Sequence, residues 1–164
     1  MTLETKDLIL RTVNNDDIKE VARMWEFGKG CIPLADAQAA IDNMCSNHAR
    51  NNLGNIYHLC LAVFERNQDS IIGWCGLDGK TDGKLHIFFL IDTEFRNRGY
   101  ATQCARKLLS YAFGEVHVPY VNGGCDKENA PSFKVMTKVG MMQNAFEENG
   151  DPLFFINDEM YRKL

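Results

Sequence analysis

The stretch from Leu90 to Ala101 reads LIDTEFRNRGYA, and it joins an apolar run to a regular helical pattern. The apolar run, Leu85 to Ile91, is typical of a central strand buried on both faces. From Tyr100 onward, apolar residues recur in adjacent pairs every four positions, which predicts a helix with a wide apolar stripe. A strand that feeds a helix through a glycine-containing loop predicts an anion site. The reason is that the first N–H groups of a helix lack internal partners and lie at the positive end of its dipole.

The loop carries side chains that suit phosphate. Gly99 allows the backbone to approach a ligand closely, and Ala101 is too small to obstruct it. Arg96 and Arg98 can add charge-assisted hydrogen bonds. The loop matches neither the P-loop nor the dinucleotide-binding pattern. It therefore predicts a phosphate-bearing ligand without specifying which one, and the alternative is a solvated turn before a helix.

Four segments, in order along the chain, resemble the GNAT superfamily of N-acetyltransferases. Arg96 to Ala101 resembles the acetyl-CoA motif Q/R-x-x-G-x-G/A. Leu3 to Arg11 resembles the first strand of the branch that contains the ribosomal-protein N-terminal acetyltransferases, and Ile71 to Leu77 resembles its third strand. Asn129 to Ser132 with Lys138 to Met141 resembles its N-x-x-S…K-x-G-F segment, with Met141 in place of Phe.

The resemblance implies one α/β domain over residues 1–164 with the GNAT fold. That fold is a mixed, mostly antiparallel sheet flanked by helices, and its fourth and fifth strands splay apart. Acetyl-CoA, as co-substrate, would insert its pantetheine arm into the gap between them. Val116 to Val121 is predicted as the fifth strand, and Pro119 fits a divergence there because proline weakens strand pairing.

The resemblance also assigns residues to the cofactor. Backbone groups of Leu90 and Ile91 would bond the pantetheine amides and the thioester carbonyl, and the side chain of Asn129 would bond pantetheine. The N–H groups of Asn97 to Thr102 would cradle the pyrophosphate. The implied cofactor-binding residues are Leu90, Ile91, Arg96, Asn97, Arg98, Gly99, Tyr100, Ala101, Thr102 and Asn129.

The catalytic residues are less fully specified. By resemblance, Ser132 is the candidate proton donor to the leaving thiolate, and the alternative is that it only satisfies backbone groups in the first turn of a helix. Many relatives carry a tyrosine acid where this chain has Met136, which cannot donate a proton. Where some members carry a glutamate base, the chain has Leu85. His86, His117 or a water chain are the open alternatives for the base.

The rest of the chain predicts the outer elements. A helix begins after the cap-forming Asn14 to Asp17 and ends at Gly28 and Gly30, and a second begins near Pro33 with Cys45 on its inner face. Other predicted elements are strands over His58 to Phe64 and Ile71 to Leu77, a turn marked by Asp78-Gly79 and Asp82-Gly83, a helix from Asn129 to Gly140, and a closing strand through Phe154 to Ile156 and Met160-Tyr161.

Composition narrows the class of protein. The chain has 164 residues and a net charge of -4, which argues against a broad nucleic-acid surface. Its six cysteines form no C-x-x-C pair, and we predict no metal site. No signal peptide or apolar run of about 20 residues is present, so we expect a cytoplasmic protein without a membrane partner.

The leading hypothesis is an enzyme that transfers acetyl from acetyl-CoA to a primary amine, either a protein N-terminus or a small molecule. The rival is a non-catalytic acyl-CoA-binding regulatory module, which Met136 and Leu85 motivate. The segments 29–55 and 146–153 are expected to shape the acceptor pocket. A homodimer is possible, although no segment of the sequence marks an interface.

Overall fold

The computed structural model describes residues 1–26, 30–80 and 83–164. The strands are β1 Thr2–Glu4, β2 Leu8–Arg11, β3 His58–Glu65, β4 Ile71–Asp78, β5 His86–Ile91, β6 Tyr120–Gly124, β7 Met142–Phe146 and β8 Pro152–Asn157. The α-helices are α1 Ile18–Met24, α2 Leu34–His48, α3 Tyr100–Tyr111, α4 Ala130–Lys138 and α5 Asp158–Tyr161. Short 3-10 turns cover Asn15–Asp17 and Thr93–Phe95, and a π-helical turn, Ala112–Val116, continues α3.

The strands form one sheet in the order β1-β2-β3-β4-β5-β6-β8-β7. Every neighbouring pair is antiparallel except β5 and β6, which are parallel. One face packs on α3 through a large apolar core, and the other packs on α1 and α2 through a smaller core around Trp74. This arrangement confirms the predicted mixed, mostly antiparallel sheet flanked by helices.

The two central strands separate soon after they meet. β5 and β6 are paired at His86 and Asn122, where the Asn122 N–H donates to the Leu85 carbonyl at 2.7 Å. On its other side β6 pairs with β8 along its whole length, Tyr120 to Gly124, whereas no residue of β5 after His86 pairs with β6. A gap therefore opens along β5 toward its carboxyl end, and the predicted splay is confirmed.

The prediction that β5 is buried on both faces was wrong. Ile87 and Ile91 are buried against α3, whereas Leu90 on the opposite face is 42% exposed and Phe88 is half-buried. The helices on that side pack on β3 and β4, so they leave this face of β5 open. We call the face formed by His86, Phe88 and Leu90 the open face.

The predicted fifth strand over Val116 to Val121 was also wrong at its start. Val116 ends the π-helical turn and is buried beside Phe113, so it extends the apolar stripe of α3. His117 follows in the left-handed region, with φ +60°. Pro119, which has no N–H to donate to a ladder, lies just before β6 begins at Tyr120.

Smaller differences lie at the ends of elements. Met160 and Tyr161 belong to α5 and not to a strand, because the Asn157 side chain accepts the Met160 N–H and starts a helical turn. The first helix ends at Met24, before the predicted glycines, and Cys45 is exposed rather than on the inner face of α2. Gly28 and Asp82 lie outside the described residues.

The cap and stop signals around two helices are confirmed. Asn14 accepts the Asp16 N–H, and Asp17 accepts the Asn14 N–H in return, which forms a capping box before α1. Asn129 caps α4, and Gly140, at φ +84°, follows its end. In the part of the chain that the structure describes, no helix is both long and apolar enough to cross a membrane.

Candidate active site

The loop between β5 and α3 has an irregular backbone at two positions. Asn97 has φ +63°, and Gly99 has φ +79° at the N-cap of α3. A Cβ atom on Gly99 would meet no other atom within 4 Å, so backbone conformation and not space within the protein favours glycine there. Backbones that leave the regular regions in this way turn successive N–H groups toward one point, which makes a concave site for an anion.

The N–H groups of this loop are not used elsewhere. The first helical bond of α3 runs from the Gln103 N–H to the Gly99 carbonyl at 3.1 Å. The N–H groups of Asn97 to Thr102 make no hydrogen bond to any residue that the structure describes. We call this row of donors the N–H cradle. It lies at the positive end of the α3 dipole and at the wide end of the gap, so it suits a ligand with phosphate groups.

Two side chains of the loop, those of Arg98 and Tyr100, fasten it to the sheet. Arg98 Nη1 lies 3.1 Å from Glu65 Oε1 at the end of β3, and its Nη2 donates to the Glu94 carbonyl at 3.4 Å. The Tyr100 hydroxyl donates to the same Glu65 oxygen, and this bond to the carboxylate raises the pKa of Tyr100. Arg98 would have to leave Glu65 before it could reach a phosphate.

Arg96 closes the carboxyl end of β5. Its Nε donates to the Ile91 carbonyl at 3.0 Å, across the 3-10 turn that separates them. The terminal nitrogens of the guanidinium group have no partner among the described residues, and the residue is exposed. Arg96 therefore both orders the loop and keeps donors free for an anion.

Along β5, the backbone N–H and C=O groups of successive residues point alternately toward β4 and toward the gap. The Asp92 N–H donates to the Ile72 carbonyl at 2.8 Å, and Leu90 is paired with Trp74, so these residues point their backbone groups at β4. The backbone groups of Phe89 and Ile91 point the other way, toward the gap. Leu90 thus contributes its exposed side chain to the open face. The backbone groups predicted to reach the gap from Leu90 come instead from Phe89, which the sequence did not single out.

Helix α4 brings the predicted serine and asparagine together. The Asn129 Oδ1 accepts the Ser132 N–H at 3.1 Å, which leaves the Asn129 amide nitrogen free of described partners. The Ser132 hydroxyl is half-buried and also makes no hydrogen bond to a described residue. Met136 is 2% exposed and packs beneath Gly123 of β6, so it serves the core.

The candidates for a base are dispersed. Leu85 is buried, and His117 is exposed at the end of the π-helical turn, where its Nδ1 lies 3.1 Å from the Phe113 carbonyl oxygen. His86 lies on the open face and is paired across the strands with Asp78. Asp78 also lies 3.3 Å from Nδ1 of His58, a residue that sequence reasoning missed. The positions of His58 and Asp78 in the sequence give no sign of this contact, because it depends on the register between β3 and β4.

The site offers hydrogen-bond donors for an organic phosphate. Within residues 1–26, 30–80 and 83–164, no cluster of three or more His, Cys, Asp or Glu side chains is arranged to hold an ion. The N–H cradle, the open strand edge and the free Asn129 amide together fit an extended ligand that has a diphosphate at one end and amides along its length.

Comparison with known proteins places the chain in a family. The sequence pattern of the family described as "Acetyltransferase (GNAT) domain" matches residues 7–142. The chain is 26% identical over 155 residues to the uncharacterized N-acetyltransferase YnaD of Bacillus subtilis (strain 168), covering 89% of this chain and 85% of that one.

Solved structures share the architecture. The ribosomal-protein-S5-alanine acetyltransferase of Vibrio fischeri superposes with a TM-score of 0.78 at 15% identity, over 97% of both chains. The ribosomal L7/L12 alpha-N-protein acetyltransferase RimL, solved with coenzyme A, superposes with a TM-score of 0.72 at 13% identity, over 96% of this chain and 99% of that one. At such identities the likeness concerns the fold.

Proposed function

The chain belongs to the acetyltransferase (GNAT) family and is an acetyl-CoA-dependent acetyltransferase, and on that premise we propose that it acetylates a primary amine by direct attack. The proposed acceptor is a protein N-terminus or a small-molecule amine. The observation that carries the proposal is the row of unused N–H groups, Asn97 to Thr102, at the wide end of the gap between β5 and β6.

The proposed binding mode follows from the donors. The N–H cradle would hold the pyrophosphate, with Arg96 adding a charged donor. The backbone groups of Phe89 and the N–H of Ile91, whose carbonyl accepts from Arg96, would bond the pantetheine arm together with the Asn129 amide. This would place the thioester deeper in the gap, beside the half-buried Phe88 of the open face.

In direct transfer the amine attacks acetyl-CoA itself, so the protein forms no covalent bond to the acetyl group. A neutral amine on the open face would attack the thioester carbon, the carbon–sulfur bond would break, and the amine would lose a proton. An N–H of β5 that points into the gap would stabilise the developing oxyanion. The Ser132 hydroxyl would give its proton to the departing thiolate and regain one from solvent.

The acceptor class rests on two supports. The open face is not covered by α1 or α2, so an extended polypeptide end has room to lie along it. The structurally similar RimL and S5-alanine enzymes are named for protein substrates, one of them at the alpha amine. A reducing compartment such as the cytoplasm would suit the protein, because all six cysteines are free.

Thiol release tests the activity. The purified protein should release coenzyme A thiol from acetyl-CoA faster when hexapeptides with amino-terminal Ala or Ser, or spermidine, are added. Mass spectrometry should then find one acetyl group on the amine. If acetyl-CoA binds but no primary amine accelerates thiol release, the protein is instead an acyl-CoA-binding module.

Replacement of Ser132 tests the proton donor. Ser132→Ala should lower kcat by roughly 10²-fold, the low end of the range for general-acid catalysis, because a thiolate leaves readily without full protonation. Acetyl-CoA affinity should stay unchanged, since the Ser132 N–H and its bond to Asn129 remain. Ser132→Thr, which keeps a hydroxyl, is the matched control, and an Ala variant with full kcat would dismiss Ser132 as the acid.

A further inference from the structure

We propose that His58, oriented by Asp78, is the general base that accepts the proton of the attacking amine. This inference rests on the proposed function and supplies the group that the family motif leaves unassigned. His58 touches the incoming amine in this proposal, whereas Asp78 acts through His58 as a positioning residue.

The two residues are fixed opposite each other by the sheet. His58 begins β3, Asp78 ends β4, and the two are direct cross-strand partners. His58 Nδ1 lies 3.3 Å from Asp78 Oδ1, and the same oxygen accepts the Lys80 N–H at 3.0 Å. The carboxylate is therefore held on one side of the imidazole ring.

The two ring nitrogens of His58 have different surroundings. Nδ1 is fully buried and makes no well-aligned hydrogen bond to a described residue, and an Asp78 carboxylate oxygen lies 3.3 Å from it. Nε2 makes no hydrogen bond to a described residue, and it lies at the accessible surface. A carboxylate at Nδ1 favours the tautomer with the proton on Nδ1, which leaves the lone pair of Nε2 facing outward as a base requires.

The ring lies at the open face. It stacks on Phe88, with ring centroids 6.0 Å apart and an interplanar angle of 13°. Phe88 is the middle residue of the open face, and it precedes Phe89, whose backbone groups point into the gap. An amine that reaches the thioester from this face would pass His58.

The surroundings keep the ring neutral. Burial is the largest influence and lowers the pKa of His58 below 6.5, and the Lys80 charge lowers it further, while Asp78 raises it. The titratable side chains on this face of the described sheet include Cys60, next along β3, His86, the cross-strand partner of Asp78 on β5, Tyr120 on β6 and Arg11 on β2. A neutral imidazole at pH 7 is ready to accept a proton.

The backbone at His58 does not depend on the ring. The His58 N–H donates to Asn51 Oδ1 at 3.0 Å, and the Asn51 amide donates back to the His58 carbonyl at 2.9 Å. A His58→Gln variant should therefore fold, because this pair of bonds uses only backbone atoms of residue 58. His117→Gln is the matched control, since His117 is exposed and follows the π-helical turn, outside the strands that form the open face.

The first experiment needs no acceptor. Nitrogen-15 NMR of histidine-labelled protein, with the His58 signals assigned from His58→Gln, should show a neutral ring at pH 7 with the proton on Nδ1. Saturation with acetyl-CoA should shift the His58 signals and leave those of His117 in place. A ring with the proton on Nε2, or signals that do not move when acetyl-CoA binds, would overturn the assignment. Failure of acetyl-CoA to bind at all would instead overturn the proposed function.

The second experiment uses the best amine from the thiol-release panel. His58→Gln should lower kcat/KM at pH 7 by about 10²- to 10⁴-fold, and Asp78→Asn by a smaller factor. For the wild type, kcat/KM should fall as the pH drops through the lowered pKa of His58, and this inflection should be absent in His58→Gln. Acetyl-CoA affinity should be equal in all variants. A His58→Gln enzyme with wild-type kcat/KM and an unchanged pH profile would contradict the proposal.

Discussion

Gly99 is the residue on which the cofactor loop most depends. Its φ of +79° costs a residue with a side chain about 1 kcal/mol or more, yet the space around its Cβ position is empty of protein atoms. Gly99→Gln should therefore fold with reduced stability and obstruct the cradle by size. Gly99→Glu should bind acetyl-CoA more weakly still, because its carboxylate would repel the pyrophosphate.

The two variants can be compared by thermal unfolding. Saturating acetyl-CoA should raise Tm most for the wild type, less for Gly99→Gln and least for Gly99→Glu, since a ligand stabilises in proportion to how tightly it binds the folded state. The pair shares the same size and backbone strain, so their difference isolates charge. Equal Tm shifts for Gln and Glu would show that no phosphate approaches Gly99.

At the residue scale, the local conformations at Gly99 and Asn129 were predictable from the sequence. Gly99 and Asn129 could be assigned because a left-handed N-cap and an Asx cap each leave a local signature. Arg98 could not, because its ion pair with Glu65 joins positions far apart in the chain. His58 was missed for the same reason, since its contact with Asp78 exists only in the strand register.

At the scale of elements, the cap of α4 has two separable functions. Asn129 Oδ1 accepts the Ser132 N–H, while the amide nitrogen is free to donate to pantetheine. Asn129→Ala should lower the free energy of unfolding by about 1 kcal/mol, the usual cost of a lost N-cap. It should also weaken acetyl-CoA binding.

Asn129→Ser separates the two functions. Serine caps a helix about as well as asparagine and adds no charge, but it lacks the amide donor. Its unfolding in urea should match the wild type, while its acetyl-CoA affinity should be reduced toward that of the Ala variant. Wild-type affinity in Asn129→Ser would show that the amide does not bind the cofactor.

Elements with a clear hydrophobic pattern in the sequence were predictable. Elements that form only because they pair or pack with other parts of the fold were not. The apolar pairs of α3 and the runs of β3 and β4 specify their own structure. β7 has no buried residue and hence no alternation, and it exists because it pairs with β8. Val116 has strand propensity, but burial beside Phe113 keeps it in the helical turn.

At the scale of the whole molecule, an ion pair beneath the capping box links β2 to α1. Arg11 donates to both carboxylate oxygens of Asp17, at 2.7 and 2.8 Å, and these bonds lower the pKa of Asp17 below 3.8. A lowered pKa in the folded state contributes stability above the unfolded-state pKa, and this stability is lost as the pH falls through the folded-state value. The pair should therefore stabilise the fold at neutral pH and weaken only below about pH 4.

Asp17→Asn tests this link. The variant should lose about 1–3 kcal/mol at pH 7, the range for hydrogen bonds to a charged group, and less at pH 3. Urea unfolding at both pH values measures the difference. Asp16→Asn, at the exposed neighbouring position, is the control and should change stability by no more than about 0.5 kcal/mol. A loss at pH 3 as large as that at pH 7 would mean that the carboxylate charge is not the stabilising feature.

We propose that the gap between β5 and β6 and the N–H cradle at its wide end together bind acetyl-CoA. Calorimetric titration of the purified wild-type protein with acetyl-CoA tests this most directly. We expect saturable binding at one site per chain, which coenzyme A should share and which inorganic phosphate should not reproduce at equal concentration. A protein that is folded by circular dichroism and yet shows no saturable heat with acetyl-CoA would contradict it.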